Sequence, residues 1–487
     1  MVSSPLRREP DREPDREPDP SASKPDPSGV GEATTTALWI DQLGTIDARP
    51  PLPGDLDADI AIVGGGFSGL WTAYYLAELQ PDARIVVLEQ HVCGYGASGR
   101  NGGWAIGELA GAASKYAKLS SPQAALRLER AAFASVDEIG RVAAAEGIEC
   151  GFHRGGNIRL ARTTPQADRQ RAEIESARAH GHGDDVIRLL DPDEARTHFA
   201  ATDVRSGIFF APCASLDPAR LVRGLARAAE QRGVTIHEGT TVRSIEPGRV
   251  ETDHGTVRAA VTVGALEAYT RDLQGARRDL LPVYSLMVAT EPLPASVFDE
   301  IGLHDRPTFA DDRYMVIYGQ RTDDNRIAFG GRGVPYLFGS KIDRATELHE
   351  PSHRLIRDTL VELAPVLRDA RITHRWGGVL GIPRNWLPSV RFDRASGAGT
   401  LGGYVGEGVA AANLAGRTLA EVIAGVETER TDLPWVGASA RRWEPEPFRW
   451  LGVRASRRIL IAADDREAAR DREAKVATWV AGLLRGD

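Results

Sequence analysis

At 487 residues the chain holds enough sequence for two or three domain-sized units. Hydrophobic residues at 42% and charged residues at 26% describe a globular protein, and a net charge of −8 with scattered basic residues argues against a nucleic-acid partner. The cysteines, Cys93, Cys150 and Cys213, lack a Cys-x-x-Cys spacing, so neither a metal site nor a disulfide framework is expected; with no apolar run long enough for a membrane span, the expectation is a cytoplasmic protein.

The first segment, residues 1–35, repeats Arg-Glu-Pro-Asp and continues rich in proline, serine and aspartate. Such a composition buries too little apolar surface to fold, and a disordered tail is expected. Order is expected from Leu38-Trp-Ile.

The run Asp59-Ile-Ala-Ile-Val63 reads as a buried strand and leads into Gly64-Gly65-Gly66-Phe67-Ser68-Gly69, followed by an apolar helical pattern. Arg84-Ile-Val-Val-Leu-Glu89 is a second strand, ending in an acid 20 residues beyond Gly69. This is the pattern of a βαβ dinucleotide site. Gly64 allows the tight turn, Gly66 the approach of a pyrophosphate, and Gly69 close packing of helix on strand. Glu89, with Gln90 beside it, is placed to accept a hydrogen bond from a ribose hydroxyl.

The stretch Cys93-Gly-Tyr-Gly-Ala97-Ser98-Gly-Arg100-Asn101-Gly102-Gly103 is too rich in glycine for a helix or central strand. It lets backbone pass close to a flat ligand, with Ser98 and Arg100 available for phosphate oxygens. A nicotinamide enzyme has no need of such a second loop, whereas a flavin ring must be cradled beyond the first βαβ unit.

Residues 121–147 carry a helical pattern, and 165–200 are polar and helical in parts. Asp217-Pro218 opens a capped helix. Strands follow at 234–237, 240–246 and 256–263, then alternating strands between 283 and 371 and a helix near 352–364. Thr400-Leu-Gly-Gly403-Tyr404-Val-Gly406-Glu-Gly408-Val409 reads as a strand, a glycine turn and a small-residue helix whose N-terminus suits the electron-rich end of a flavin.

These elements, in this order, resemble the glycine oxidase / D-amino-acid oxidase superfamily of FAD-dependent amine oxidoreductases, with nearest likeness to the gamma-glutamylputrescine oxidoreductase-like members. The resemblance rests on Val63–Gly69, Gly96–Gly103, Pro282-Val-Tyr-Ser, Phe329-Gly-Gly331, Trp376-Gly-Gly378 and Gly403–Gly408. It implies an α/β fold in which a Rossmann-like FAD-binding domain (36–112, 206–282, 372–430) is interleaved with an α+β substrate domain (113–205 and an antiparallel sheet at 283–371), followed by a helical extension at 431–487. It also implies oxidation of an amine or amino-acid derivative, with O2 or another electron acceptor. Two alternatives stay open: a dehydrogenase of the same fold that serves a quinone or carrier protein, and a flavoprotein without catalysis. The extension, rich in arginine and tryptophan, is expected to pack on the protein's own surface rather than on a membrane.

The resemblance further implies that Val242 contacts adenine through its backbone. It implies non-covalent FAD, because no cysteine follows Cys213 and Asn101 stands where some relatives attach the flavin through histidine. His91 is expected at the surface. Leu380 stands where glycine-oxidase-like members hold the substrate carboxylate with arginine, which argues against a small α-amino acid bound in that way. Tyr318, Arg332, Tyr336, Trp376 and Asn385 are the candidate substrate-side residues. The segment Gly264-Ala-Leu-Glu-Ala-Tyr269 departs from the usual Ala-Thr-Asn-Ala-Tyr at Gly264, Leu266 and Glu267.

Overall fold

A computed structural model describes residues 30, 33–111, 113–331 and 336–475. The strand Leu56–Val63 buries almost every side chain from Ile60 onward, as a strand covered on both faces must. It lies parallel to Thr256–Gly264 on one side and to Ile85–Leu88 on the other. Thr235–His237 and Ala398–Gly402 extend the parallel order outward, and Ser389–Asp393 closes one edge antiparallel. A hairpin of Val242–Glu246 and Arg249–Thr252 hangs from the Thr256–Gly264 strand; its second strand, Arg249–Thr252, lies outside the strands expected from the sequence.

Between the first two strands runs the helix Phe67–Leu79, buried nearly all round. It packs against a later helix, Gly408–Ala424. The two approach closely because Gly416 lacks a side chain: a Cβ there would stand 2.7 Å from Trp71 Cβ and 2.8 Å from the Thr72 amide nitrogen. Trp71, Tyr74 and Tyr75 fill the surrounding core, with Trp71 stacked on Tyr75.

A second eight-stranded sheet runs in the order Ile372–Pro383, Leu280–Thr290, Ile327–Gly331, Ile317–Arg321, Thr308–Asp311, Asn157–Ala161, Ser206–Phe210, Ile187–Leu190. This differs from the expectation of an antiparallel sheet confined to 283–371. Strands from 157–210 and from 372–383 belong to it, and Thr308–Asp311 pairs parallel with Asn157–Ala161. Physically, the polar helices that surround 157–210 hide short strands whose apolar runs are too brief to read alone. One of the alternating strands expected between 283 and 371 begins at Ile317, because the amides of Tyr314 and Met315 donate to Asp464 rather than to a neighbouring strand.

The chain ends described here are held by this sheet. Thr34 donates its amide to Thr373 and accepts one from Arg375, so residues 33–35, assigned to the tail by composition, pair with the sheet. Residues 1–29, 31 and 32 lie outside the described residues, as do 476–487. The helix Phe448–Arg470 meets the second sheet's edge loop through Asp464, which accepts the Tyr314 amide, and the helix Thr164–Ala179 through Glu467, which pairs with Arg169. No helix among the described residues is long and apolar enough to cross a membrane.

Gly416→Val is expected to force the two central helices apart and to cost about 1–3 kcal/mol of stability. A thermal-unfolding midpoint equal to that of the parent protein would show that the helices have room for the side chain.

Candidate active site

A cleft with about 1280 Å³ of empty space opens at the carboxyl ends of the parallel strands, where ligands of open α/β sheets bind. One end is lined by Glu89, Gln90, Thr240 and Val242, the middle by Gly64, Gly66, Phe67 and Ser68, and the far end by Leu380, Tyr404, Gly406 and Val409.

The fingerprint shapes the middle. Gly64 has φ of +114°, and a Cβ there would stand 2.5 Å from the Ala265 carbonyl oxygen. A Cβ on Gly69 would come to 2.0 Å from the Gly64 carbonyl oxygen, so helix and strand can touch only through glycine. Gly66 precedes the helix without a capping side chain, which leaves a helix N-terminus suited to an anionic pyrophosphate. Gly65 turns away from the cleft: its amide donates to Glu89 Oε2 at 2.8 Å. The other oxygen of Glu89 accepts the His91 amide at 2.9 Å. Burial raises the pKa of Glu89, and these amide bonds oppose the rise. His91 is exposed and lines the cleft mouth, its ring 3.9 Å from that of Tyr95.

The glycine-rich loop closes over the cleft and is fastened by its own carbonyls. Trp39 Nε1 donates to the Asn101 carbonyl at 2.8 Å, and Trp376 Nε1 to the Arg100 carbonyl at 2.9 Å. Gln320 Nε2 donates to the Gly102 carbonyl at 2.7 Å and, more weakly, to that of Gly103. Asn101 turns its side chain inward, donating to the Ala97 and Ser98 carbonyls and accepting the Gly103 amide. Ser98 Oγ accepts the Phe67 amide at 2.9 Å, tying the loop to the first turn of the fingerprint helix.

A second cavity, with about 750 Å³ of empty space, adjoins the cleft; Ala97, Asn101, Leu380, Gly406 and Val409 line both. Its other walls are Arg100, Gly102 and Trp104 from the loop side and Ser285, Ala310, Val316, Ile317 and Tyr318 from the second sheet. Tyr318 shares a 2.7 Å hydrogen bond with Ser285 Oγ and meets the edge of Trp104. The charged residues lining it are Arg100, paired with Glu347 at 2.7 Å, and Glu407.

Several residues singled out from the sequence fall elsewhere. Arg100 lines this second cavity instead of the phosphate end, because Glu347 holds its guanidinium. Trp376 is buried against Trp39 and anchors the loop from behind. Asn385 lies beyond the cavity, with its carbonyl accepting from Lys115. Tyr336 bonds to Ser340 and Glu446. Gly403 gives its amide to Glu267 from behind the cleft wall. Arg332 lies outside the described residues. The sequence reading missed Thr240, Leu266, Tyr269 and Leu273 in the cleft and Ser285, Ala310 and Glu407 in the cavity. Glu407 and Ser285 carried a signal, since they sit inside the quoted Gly403–Gly408 and Pro282-Val-Tyr-Ser motifs, and Leu266 and Tyr269 lie in the quoted Gly264–Tyr269 segment.

A dinucleotide cleft beside an adjoining cavity is the layout of a flavin-dependent oxidoreductase, and comparison with known proteins places the chain in that class. Residues 59–422 match the family model "FAD dependent oxidoreductase" (DAO), and the chain belongs to this family. It is 30% identical over 394 residues to a probable oxidoreductase, OrdL, of Rhizobium meliloti, covering 79% of this chain and 88% of that protein. It is 28% identical over 411 residues to the gamma-glutamylputrescine oxidoreductase of Escherichia coli, covering 82% and 92%. Among solved structures, glycine oxidase from Geobacillus kaustophilus superposes with a TM-score of 0.63 at 22% identity, covering 77% of this chain and 96% of that one. The residues lining the cleft fit FAD: the bare helix N-terminus after Gly66 would hold the pyrophosphate and Glu89 would meet the ribose.

Gly64→Val, which places a side chain against the Ala265 carbonyl in a backbone region reserved for glycine, is expected to abolish flavin retention. A purified variant that stays as yellow as the parent would contradict this role for the turn.

Proposed function

We infer that the protein oxidises an amine or amino-acid derivative by transfer of a hydride from the C–H next to nitrogen to N5 of a non-covalently held FAD. The observation that carries this reading is the adjoining cavity that shares five of its wall residues with the cofactor cleft. A substrate there meets the cofactor with no intervening wall. The nitrogen lone pair forms the C=N bond as the hydride leaves with its two electrons. Water then adds to the imine, the C–N bond breaks, and a carbonyl compound and an amine or ammonia are released. FAD, when bound, supplies the two-electron acceptor, and O2 or another acceptor takes those electrons onward.

The chain's own part is to orient the amine and exclude water. Val316, Ile317, Leu380 and Val409 give the cavity an apolar lining that favours the neutral amine, the only form with a free lone pair. The Tyr318–Ser285 hydroxyl pair offers a hydrogen-bonding point on the wall formed by the second sheet. Leu380 supports an amine without a small α-amino acid's carboxylate anchor: the position faces both cavities and carries no charge. Arg384 supplies no substitute, since it pairs with Glu444 and lies over Trp443. The E. coli relative named for gamma-glutamylputrescine supports the same substrate class.

The test is anaerobic mixing of the yellow protein with a panel of mono-, di- and acylated polyamines and amino acids. Bleaching of the oxidised-flavin bands by an amine is the expected result, and readmitting air then separates an oxidase from a dehydrogenase. Bands that persist with every amine would overturn the reading. Acid precipitation is expected to leave the flavin in the supernatant; flavin in the pellet would mean covalent attachment. Tyr318→Phe is expected to lower kcat/KM for the bleaching amine by about fivefold, or ~1 kcal/mol.

A further inference from the structure

The geometry points to Glu267 as a positioning residue for the flavin, an assignment that rests on the FAD reading of the cleft. Its backbone lies in the left-handed region at φ +48°, where glycine or asparagine is the usual occupant and glutamate is strained. The longer side chain makes contacts that asparagine is too short to make. Oε2 accepts the Gly403 amide at 2.8 Å and Oε1 the Gly381 amide at 3.2 Å.

These bonds join the walls of the cleft. Glu267 follows Ala265, whose carbonyl abuts Gly64 of the fingerprint turn. Gly381 adjoins Leu380, which lines both the cleft and the substrate cavity. Gly403 adjoins Tyr404, whose hydroxyl bonds Ser68 in the first turn of the fingerprint helix at 2.8 Å. One carboxylate thus links the pyrophosphate turn, the end of the strand Ile372–Pro383 and the entry to the helix Gly408–Ala424. Glu267 itself lines the cleft. A carboxylate suits the task because both of its oxygens accept. The isosteric amide offers one acceptor and turns two donors toward the other N–H. Burial raises its pKa to about 7, with the amide hydrogen bonds from Gly403 and Gly381 opposing part of the rise.

The experiment is titration of apoprotein with FAD, followed by flavin fluorescence, together with thermal unfolding of each apoprotein. The variants are Glu267→Gln and Gly402→Ala; the second leaves the carboxylate in place but would set a Cβ 2.7 Å from Oε2. Glu267→Gln is expected to weaken FAD binding about tenfold or more although it fills the same volume, with an apoprotein midpoint near that of the parent. Gly402→Ala is expected to weaken binding in the same direction. A Glu267→Gln protein that binds FAD as tightly as the parent overturns the assignment, as only space-filling would then be required. Should that variant fail to fold, unchanged FAD affinity in Gly402→Ala overturns it. A parent apoprotein that takes up no FAD overturns the cofactor reading and this assignment together.

Discussion

Everything in the cofactor half of the molecule depends on how closely the fingerprint helix approaches its strand. Two glycines decide that distance: Gly69, whose Cα faces the Gly64 carbonyl, and Gly64, pressed on Ala265. With the helix at this depth its N-terminal turn stands at the carboxyl edge of the sheet, where its unmatched amides favour anionic oxygen. The later helix Gly408–Ala424 inherits the same depth through Gly416 against Trp71. The ring end of the cleft is therefore set by backbone contact as much as by side chains.

The glycine-rich loop shows how a segment with only one short 3-10 turn, Ala97–Gly99, is fastened as a wall. Its amides satisfy only some of its carbonyls, and an unmatched buried carbonyl is costly. Trp39, Trp376 and Gln320 supply the donors from the opposite side. The loop is thus fastened by the indole of Trp39 and by Trp376 and Gln320 of the second sheet, and the cradle of the cleft joins the two sheets.

The legible part of this site was local. Gly64 to Gly69, Glu89, the 96–103 loop and Gly403 to Gly408 are contiguous motifs in which each residue's role follows from turn geometry or helix polarity. The illegible part is tertiary. Ser285, Ala310 and Ile317 lie on strands that could present either face, and only the packing of the second sheet selects which side chains line the cavity. Trp376 illustrates the limit. It was a candidate substrate-side residue, but a buried indole needs an acceptor, and the one it finds is the Arg100 carbonyl of the loop. Arg100 illustrates another, since its partner Glu347 is remote in sequence and holds the guanidinium at the second cavity.

The shared boundary between cleft and cavity constrains how such a protein can diversify. Ala97, Asn101, Leu380, Gly406 and Val409 line both spaces, so a substitution there would reshape the two together. Ser285, Ala310, Ile317 and Tyr318 line the cavity and not the cleft. A substitution at these four positions would reshape the cavity and leave the walls of the cleft as they are.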